Sequence, residues 1–179
     1  MKDNRLARFI RRGGLVAYPT ESCFGLGCDP KNRKAVNKII KIKKRSRNKN
    51  FILIGSSMKH FSSFINPITS SIEKELFGKW PGPHTWLLDA SNICPAWLKN
   101  KSKIALRISS YTSCRSLTSS IDMAITSSSL NISGRVPLKR YRDVCRFLPS
   151  QVKIIKGLIG KNKNPSIIQD FKTKKIIRS

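Results

Sequence analysis

The side chains best suited to chemistry on an anionic substrate fall in three places. Lys43-Lys44-Arg45 ends an amphipathic stretch and puts a point charge and a planar donor fork two residues apart, a useful pairing on a phosphate chain. On a helix, residues 43 and 45 stand about 200° apart, so both can reach one phosphate chain only if the helix ends between them. The same residues equally suit a solvated helix end that complements the macrodipole. Arg107 sits inside the apolar run Ile104 to Ile108, where an unpaired guanidinium is costly. It needs a carboxylate, from one of the nine Asp and Glu or from a ligand, or else it lies on an exposed face. Ser127, Ser128, Ser129, Asn131 and Ser133 cluster ahead of Gly134 as donors for phosphate or ribose oxygens, or as an ordinary polar turn.

Other catalytic devices are missing or weak. No G-x-x-x-x-G-K-[ST] or G-x-G-x-x-G is present, and Gly157-Leu158-Ile159-Gly160-Lys161 has the wrong spacing for a phosphate loop. Two histidines, His60 and His84, leave little room for a Ser/His/Asp triad, and five cysteines without a C-x-x-C pair make no zinc pattern. Cys23 with a distant histidine would be a thiol nucleophile, but a packed cysteine accounts for it more simply.

The elements that must position these residues follow from periodicity. Leu6, Phe9 and Ile10 recur at helical spacing before Gly13-Gly14, and Leu15 to Tyr18 reads as a buried strand. The segment from Pro19 through Gly27 reads as a loop. Ala35, Val36, Ile39 and Ile40 mark an amphipathic helix, and Phe51 to Ile54 a strand. A helix around Ile72 to Phe77, a rigid turn at Trp80-Pro81-Gly82-Pro83, strands at 85–88 and 104–108 and a helix at 112–120 come next. Ala124 to Thr126 leads into a serine-rich loop, 141–148 is helical, and short strands near 152–155, 166–168 and 175–177 close the chain. Residues 160–164 are the expected mobile loop. Interspersed helices and strands favour a mixed sheet covered by helices.

Length and composition set the frame. The 179 residues suit one domain, 1–179, with no linker or internal repeat. Thirty-six Lys and Arg against nine acids give a net charge of +27, which attracts polyanions; Lys, Asn and Ile are all abundant, so drift in an AT-rich genome explains the excess equally well. No apolar run approaches the roughly 18 residues of a membrane span and no signal-type apolar region follows the N-terminus, so no membrane partner and a cytoplasmic location with reduced thiols are expected.

Taken in order, five motifs resemble those of the YrdC-like family, the threonylcarbamoyl-AMP synthases. They are Tyr18-Pro19-Thr20-Glu21 with Phe24 to Gly27, Lys43-x-Arg45, Trp80-Pro81-Gly82-Pro83-x-Thr85, Ala105-Leu106-Arg107, and Ser129-x-Asn131 with Ser133-Gly134. The resemblance implies a twisted mixed α/β sheet flanked by helices with a basic concave face. It also implies a nucleotidyltransferase that makes threonylcarbamoyl-AMP and pyrophosphate from L-threonine, bicarbonate and ATP, for modification of tRNAs reading codons that begin with A. By resemblance, Lys43, Arg45, Ser129, Asn131 and Arg178 would hold ATP, and Thr20, Arg107, Ser127 and Ser166 the threonine. Magnesium is expected with ATP, without a protein ligand set. Other tRNA-modification proteins are the expected partners, and direct RNA binding stays open beside them. The sequence departs from the family pattern at Ser46 (usually Pro), at Leu130 (usually Ala), whose bulk would crowd the site if it pointed inward, and at Lys161-Asn162-Lys163-Asn164.

Overall fold

The computed structural model describes residues 2–46, 51–162 and 164–179. Among these, α1 (Asn4–Arg11), β1 (Val16–Pro19), β2 (Phe24–Gly27), α2 (Arg33–Lys43) and β3 (Ile52–Gly55) form the first half. Then come α3 (Ser70–Phe77), β4 (His84–Asp89), β5 (Lys103–Ile108), α4 (Thr112–Ser120), β6 (Ile125–Ser129), α5 (Tyr141–Phe147), β7 (Lys153–Ile154), β8 (Ile167–Asp170) and β9 (Ile176–Arg178). The strands join in one mixed sheet in the order β7-β1-β2-β6-β3-β5-β4-β8-β9. β1, β3 and β4 pair parallel with β7, β5 and β8 respectively, and the remaining pairings are antiparallel.

Strand alternation divides the core. Val16 and Tyr18 of β1, Ile54 of β3 and Ile125 of β6 pack under α1 and α4 with Ile10, Cys114 and Leu117. The alternate residue Ala17 turns to the other face, where Leu26, Ala35, Val36, Ile39 and Val144 gather beneath α2 and α5. Further along that opposite face, Leu53, Leu106 and Ile108 join Phe61, Leu76 and Trp80. Leu106 and Ile108 therefore face one core while Arg107 between them points to the other side of the sheet. Polar caps set the helix starts: Asp3, Asn32 and Thr69 each accept a first-turn N–H of α1, α2 and α3.

Two expected loops are strands. Phe24 to Gly27 forms β2 because its glycines mark close approach rather than a turn. A Cβ on Gly27 would lie 2.3 Å from the Thr126 carbonyl oxygen, and one on Gly25 3.0 Å from the Tyr18 ring. Ser127 to Ser129 continues β6, paired with β2 at Gly25↔Ser129 and with β3 at Ile52↔Ser127. The expected mobile loop is likewise tied down over its described part. Gly160 N–H donates to the Thr20 carbonyl at 2.9 Å and Asn162 N–H to the Glu21 carbonyl at 3.1 Å. Lys163 lies outside the described residues.

Candidate active site

One sheet face is covered by α1 and α4 over only part of its width. The rest forms a cleft of about 190 Å³ lined by Thr20, Glu21, Arg45, Arg107, Ser109, Ser127, Ser129, Ser166 and Arg178, with Cys23, Cys114, Ile52 and Ile54 among the apolar wall. Pockets for drug-sized ligands run to about 300–1,000 Å³. The enclosed part therefore takes only a portion of a nucleotide-sized ligand, and the remainder lies in the open.

Arg107 reaches the cleft from β5 and is fixed by two partners. Its Nε–H donates to the Gly82 carbonyl at 2.9 Å, and Nη2 pairs with Glu21 Oε1 at 2.5 Å. The Trp80–Pro83 turn thus does more than reverse the chain, since it supplies the carbonyl that orients this guanidinium. Gly82 N–H donates to the Ile108 carbonyl at 2.9 Å, locking turn and strand together. Of the partners open to Arg107 in the sequence, the acid is Glu21, and the side chain still faces the cleft.

Arg45 enters because α2 stops in time. Lys44 takes the left-handed conformation with φ of 47°, and the chain past it reverses, with Arg45 N–H donating to the Ile40 carbonyl at 3.0 Å. The guanidinium lies over Phe51, 5.0 Å from the ring centroid. The condition for a shared Lys43/Arg45 site, a helix end between them, is met, yet the two side chains part company. Lys43 is 2% exposed, and its ammonium donates to the Ser129 carbonyl, to the Asn131 carbonyl at 2.9 Å and to Asn131 Oδ1 at 3.0 Å. All three N–H of an ammonium are thereby engaged on the loop after β6. Burial, with the Arg45 charge adding, lowers its pKa from 10.5 to about 8.

The loop so held carries Ser129 and Asn131. Ser129 Oγ donates to Asn131 Oδ1 at 3.1 Å, and Asn131 Nδ2 donates to the Ile132 and Arg135 carbonyls at 2.9 and 2.6 Å. Asn131 does not itself line the cleft wall; Ser129 does. Leu130 is fully buried among Phe24, Val144 and Leu148, so its bulk is accommodated in the core and leaves the site clear.

The far wall comes from the chain's end. Arg178 in β9 donates from Nε and Nη2 to the Ser166 carbonyl at 3.1 and 2.7 Å, and from Nη2 to Ser166 Oγ at 3.1 Å. Ser166 Oγ also shares a hydrogen bond of 2.8 Å with Thr85 Oγ1. Burial lowers the pKa of Arg178, and the Arg107 charge adds to this; burial alone lowers that of Arg45. Guanidiniums remain protonated nonetheless.

Thr20 Oγ1 donates to the Cys23 carbonyl at 2.7 Å, and the buried Tyr18 OH donates to Ser127 Oγ at 2.8 Å, which fixes the Thr20 and Ser127 side chains at the cleft. Burial raises the Cys23 thiol and pushes Cys114 up to about 12, so neither supplies thiolate near neutral pH. Neither His60 nor His84 lines the cleft. His84 packs at a tilt against Trp86 with ring centroids 4.3 Å apart, and His60 lies 3.4 Å from Asp122.

Sequence reasoning did not single out Glu21 or Ser109. Ser109 Oγ donates to Glu21 Oε1 at 2.5 Å. Glu21 was visible as the acid of the Thr20-Glu21 pair, and as one of few partners available to Arg107; Ser109 carried no signal beyond its place two residues after Arg107.

Fold and cleft define an α/β protein with an arginine- and serine-lined cleft over the open part of a mixed sheet. The Sua5/YciO/YrdC family model, described as telomere recombination, matches residues 8–179, and the chain belongs to this family. It is 41% identical over 179 residues to the threonylcarbamoyl-AMP synthase of Methylobacillus flagellatus, covering 99% of each chain. It is 39% identical over 178 residues to that of Neisseria gonorrhoeae, covering 98% of this chain and 94% of the relative. A crystal structure of P. abyssi Sua5 complexed with L-threonine matches with TM-score 0.82 and 27% identity, covering 93% of this chain and 49% of that one. The chain thus spans about half the length of that protein. E. coli YciO, at 23% identity and TM-score 0.81 over 98% of this chain and 87% of that one, shares the fold.

Proposed function

We propose that this chain is a threonylcarbamoyl-AMP synthase, forming L-threonylcarbamoyladenylate and pyrophosphate from L-threonine, bicarbonate and ATP. The observation that carries the reading is the cleft itself, which Arg45, Arg107 and Arg178 line together with serine hydroxyls and one carboxylate paired to Arg107. Full-length relatives of that name, and the L-threonine held by P. abyssi Sua5, support it.

The chemistry suits such a site. The threonine ammonium gives up a proton to solvent, and the free amine adds to bicarbonate and releases water, leaving a carbamate. A carbamate oxygen then attacks the α-phosphorus of ATP, and the bond to pyrophosphate breaks with its electron pair. Negative charge gathers on the phosphoryl oxygens and the leaving group, where fixed guanidiniums act without reorganising. Holding three reactants in line supplies much of the rest. Arg107 takes the threonine carboxylate, with Thr20, Ser127 and Ser166 around the amino-acid moiety. Arg45, Ser129 and Arg178 face the nucleotide. Lys43 serves that wall through the Ser129–Asn131 loop it ties. Magnesium would come bound to ATP and neutralise phosphate charge there. Among the described residues no three His, Cys, Asp or Glu cluster as ligands, and the cleft's acid is paired to Arg107.

The adenylate would be passed to other tRNA-modification proteins for threonylcarbamoyladenosine synthesis, with the +27 surface available to RNA, in the cytoplasm. Among the described residues no helix is long and apolar enough to cross a membrane.

Mass spectrometry of the adenylate formed from carbon-labelled bicarbonate tests the reading, with Arg107→Ala alongside. Label in a threonine-containing adenylate is expected. Arg107→Ala should raise the threonine KM by about tenfold or more, the worth of one charged hydrogen bond, and leave the ATP KM within about twofold. An adenylate without the labelled carbon would contradict the reaction; an unchanged threonine KM would remove Arg107 from the site.

A further inference from the structure

A ligand bearing only phosphate or carboxylate groups would be served by cations alone, and the cleft has Arg45, Arg107 and Arg178. Glu21 lines the same cleft, in a chain with 36 Lys and Arg against nine acids. It is 9% exposed, and its Oε1 accepts from both Arg107 Nη2 and Ser109 Oγ at 2.5 Å. Its place is fixed from several sides. Tyr111 N–H donates to Ser109 Oγ at 3.0 Å, and Asn162 N–H donates to the Glu21 carbonyl at 3.1 Å. A Cβ on Gly160 would lie 2.7 Å from that same carbonyl oxygen, so the backbone strap fits only as glycine.

Glu21 and Arg107 each keep capacity for a ligand. A carboxylate offers about four acceptor positions and a guanidinium five donors, while these bonds engage two of each. An α-amino acid carries ammonium and carboxylate on one carbon. A touching Glu/Arg pair presents the two complementary charges at the spacing of those two ends.

Resting on the amino-acid reading of this cleft, we propose that Glu21 is a specificity-determining residue: it accepts from the substrate α-ammonium while Arg107 takes the carboxylate. The cleft then selects a zwitterion over a simple carboxylate or phosphate of similar size. Without the Glu21 carboxylate the Arg107 guanidinium loses its ion-pair partner in the cleft, and simple anions gain what the amino acid loses.

The experiment is calorimetric binding, without ATP, of L-threonine and of the hydroxy acid bearing a hydroxyl in place of its amino group, to the wild-type chain and Glu21→Gln. The glutamine keeps an acceptor oxygen for Arg107 and Ser109 and removes the charge. Wild type should favour threonine, and Glu21→Gln should shrink that preference by about tenfold or more while binding the hydroxy acid at least as well. Preference retained in Glu21→Gln overturns the proposal, as does equal weakening of both ligands, the signature of a structural role. If Glu21→Gln does not fold, Glu21→Asp withdraws the carboxylate by one methylene with the charge kept. Weakened threonine binding with the hydroxy acid unaffected supports the assignment, and unchanged binding of both overturns it. The synthase reading fails separately. A wild type that favours the amino acid over the hydroxy acid, yet forms no adenylate, would sink that reading and leave the role of Glu21 standing.

Discussion

Lys43 shows how a residue can matter to a nucleotide without lining the cleft. Its ammonium binds the Ser129 and Asn131 carbonyls and Asn131 Oδ1, and deprotonation leaves two N–H for three acceptors. Because its pKa is lowered to about 8, that change falls within an ordinary assay range. The account expects kcat/KM for ATP to fall as pH rises through about 8, and Lys43→Met to be slow without that limb. The loss would not come from Lys43 destabilising the fold. The folded value lies below the ordinary 10.5, so between about 8 and 10.5 the unfolded chain holds more protons, and this residue's contribution to stability rises with pH. A pH profile of Lys43→Met with the same alkaline limb would assign the limb elsewhere. The sequence showed Lys43 and Arg45 as a pair and the need for a helix end between them. It did not show that the end at Lys44 sends one side chain into the loop and the other into the cleft, because burial depends on what the loop after β6 supplies.

At the scale of elements, helix stripes and caps were plain in the sequence, and so was the strand around Arg107. The errors were in β2 and β6, and both have one cause. Glycines and serines ordinarily signal turns, but here they line a sheet whose neighbours leave no room for larger side chains or whose exposed face is the cleft. Gly27 is the sharpest case, with the Thr126 carbonyl 2.3 Å from where a Cβ would stand. Backbone on the partner strand cannot swing away as a side chain can. Gly27→Ala is therefore expected to lower stability by roughly 1–3 kcal/mol, read as a reduced denaturation midpoint at unchanged slope. A midpoint equal to wild type would show that β2 and β6 separate easily and that the glycine is not required by their approach. Gly25, two residues before Gly27 on the same face of β2 and paired with Ser129, lines the cleft, while Phe24 and Leu26 on the other face pack in the core, so the short strand serves both.

Across the whole molecule, the cleft draws on residues from Thr20 to Arg178, and only the sheet order brings them together. Composition alone could not place it. The +27 charge is spread over the chain, whereas the informative charges are the three arginines that line the cleft, one of them paired with Glu21. Ordered motifs identified most of the walls; the Glu21–Ser109 contact and the Gly82 carbonyl on Arg107 required the fold, since hydrogen-bond partners of this kind leave no periodic trace. The central claim is that this cleft joins three reactants, and pyrophosphate release from ATP by the purified chain tests it most directly. The account predicts release that requires both L-threonine and bicarbonate, falling to background when either is omitted. Release that continues undiminished without threonine would contradict it.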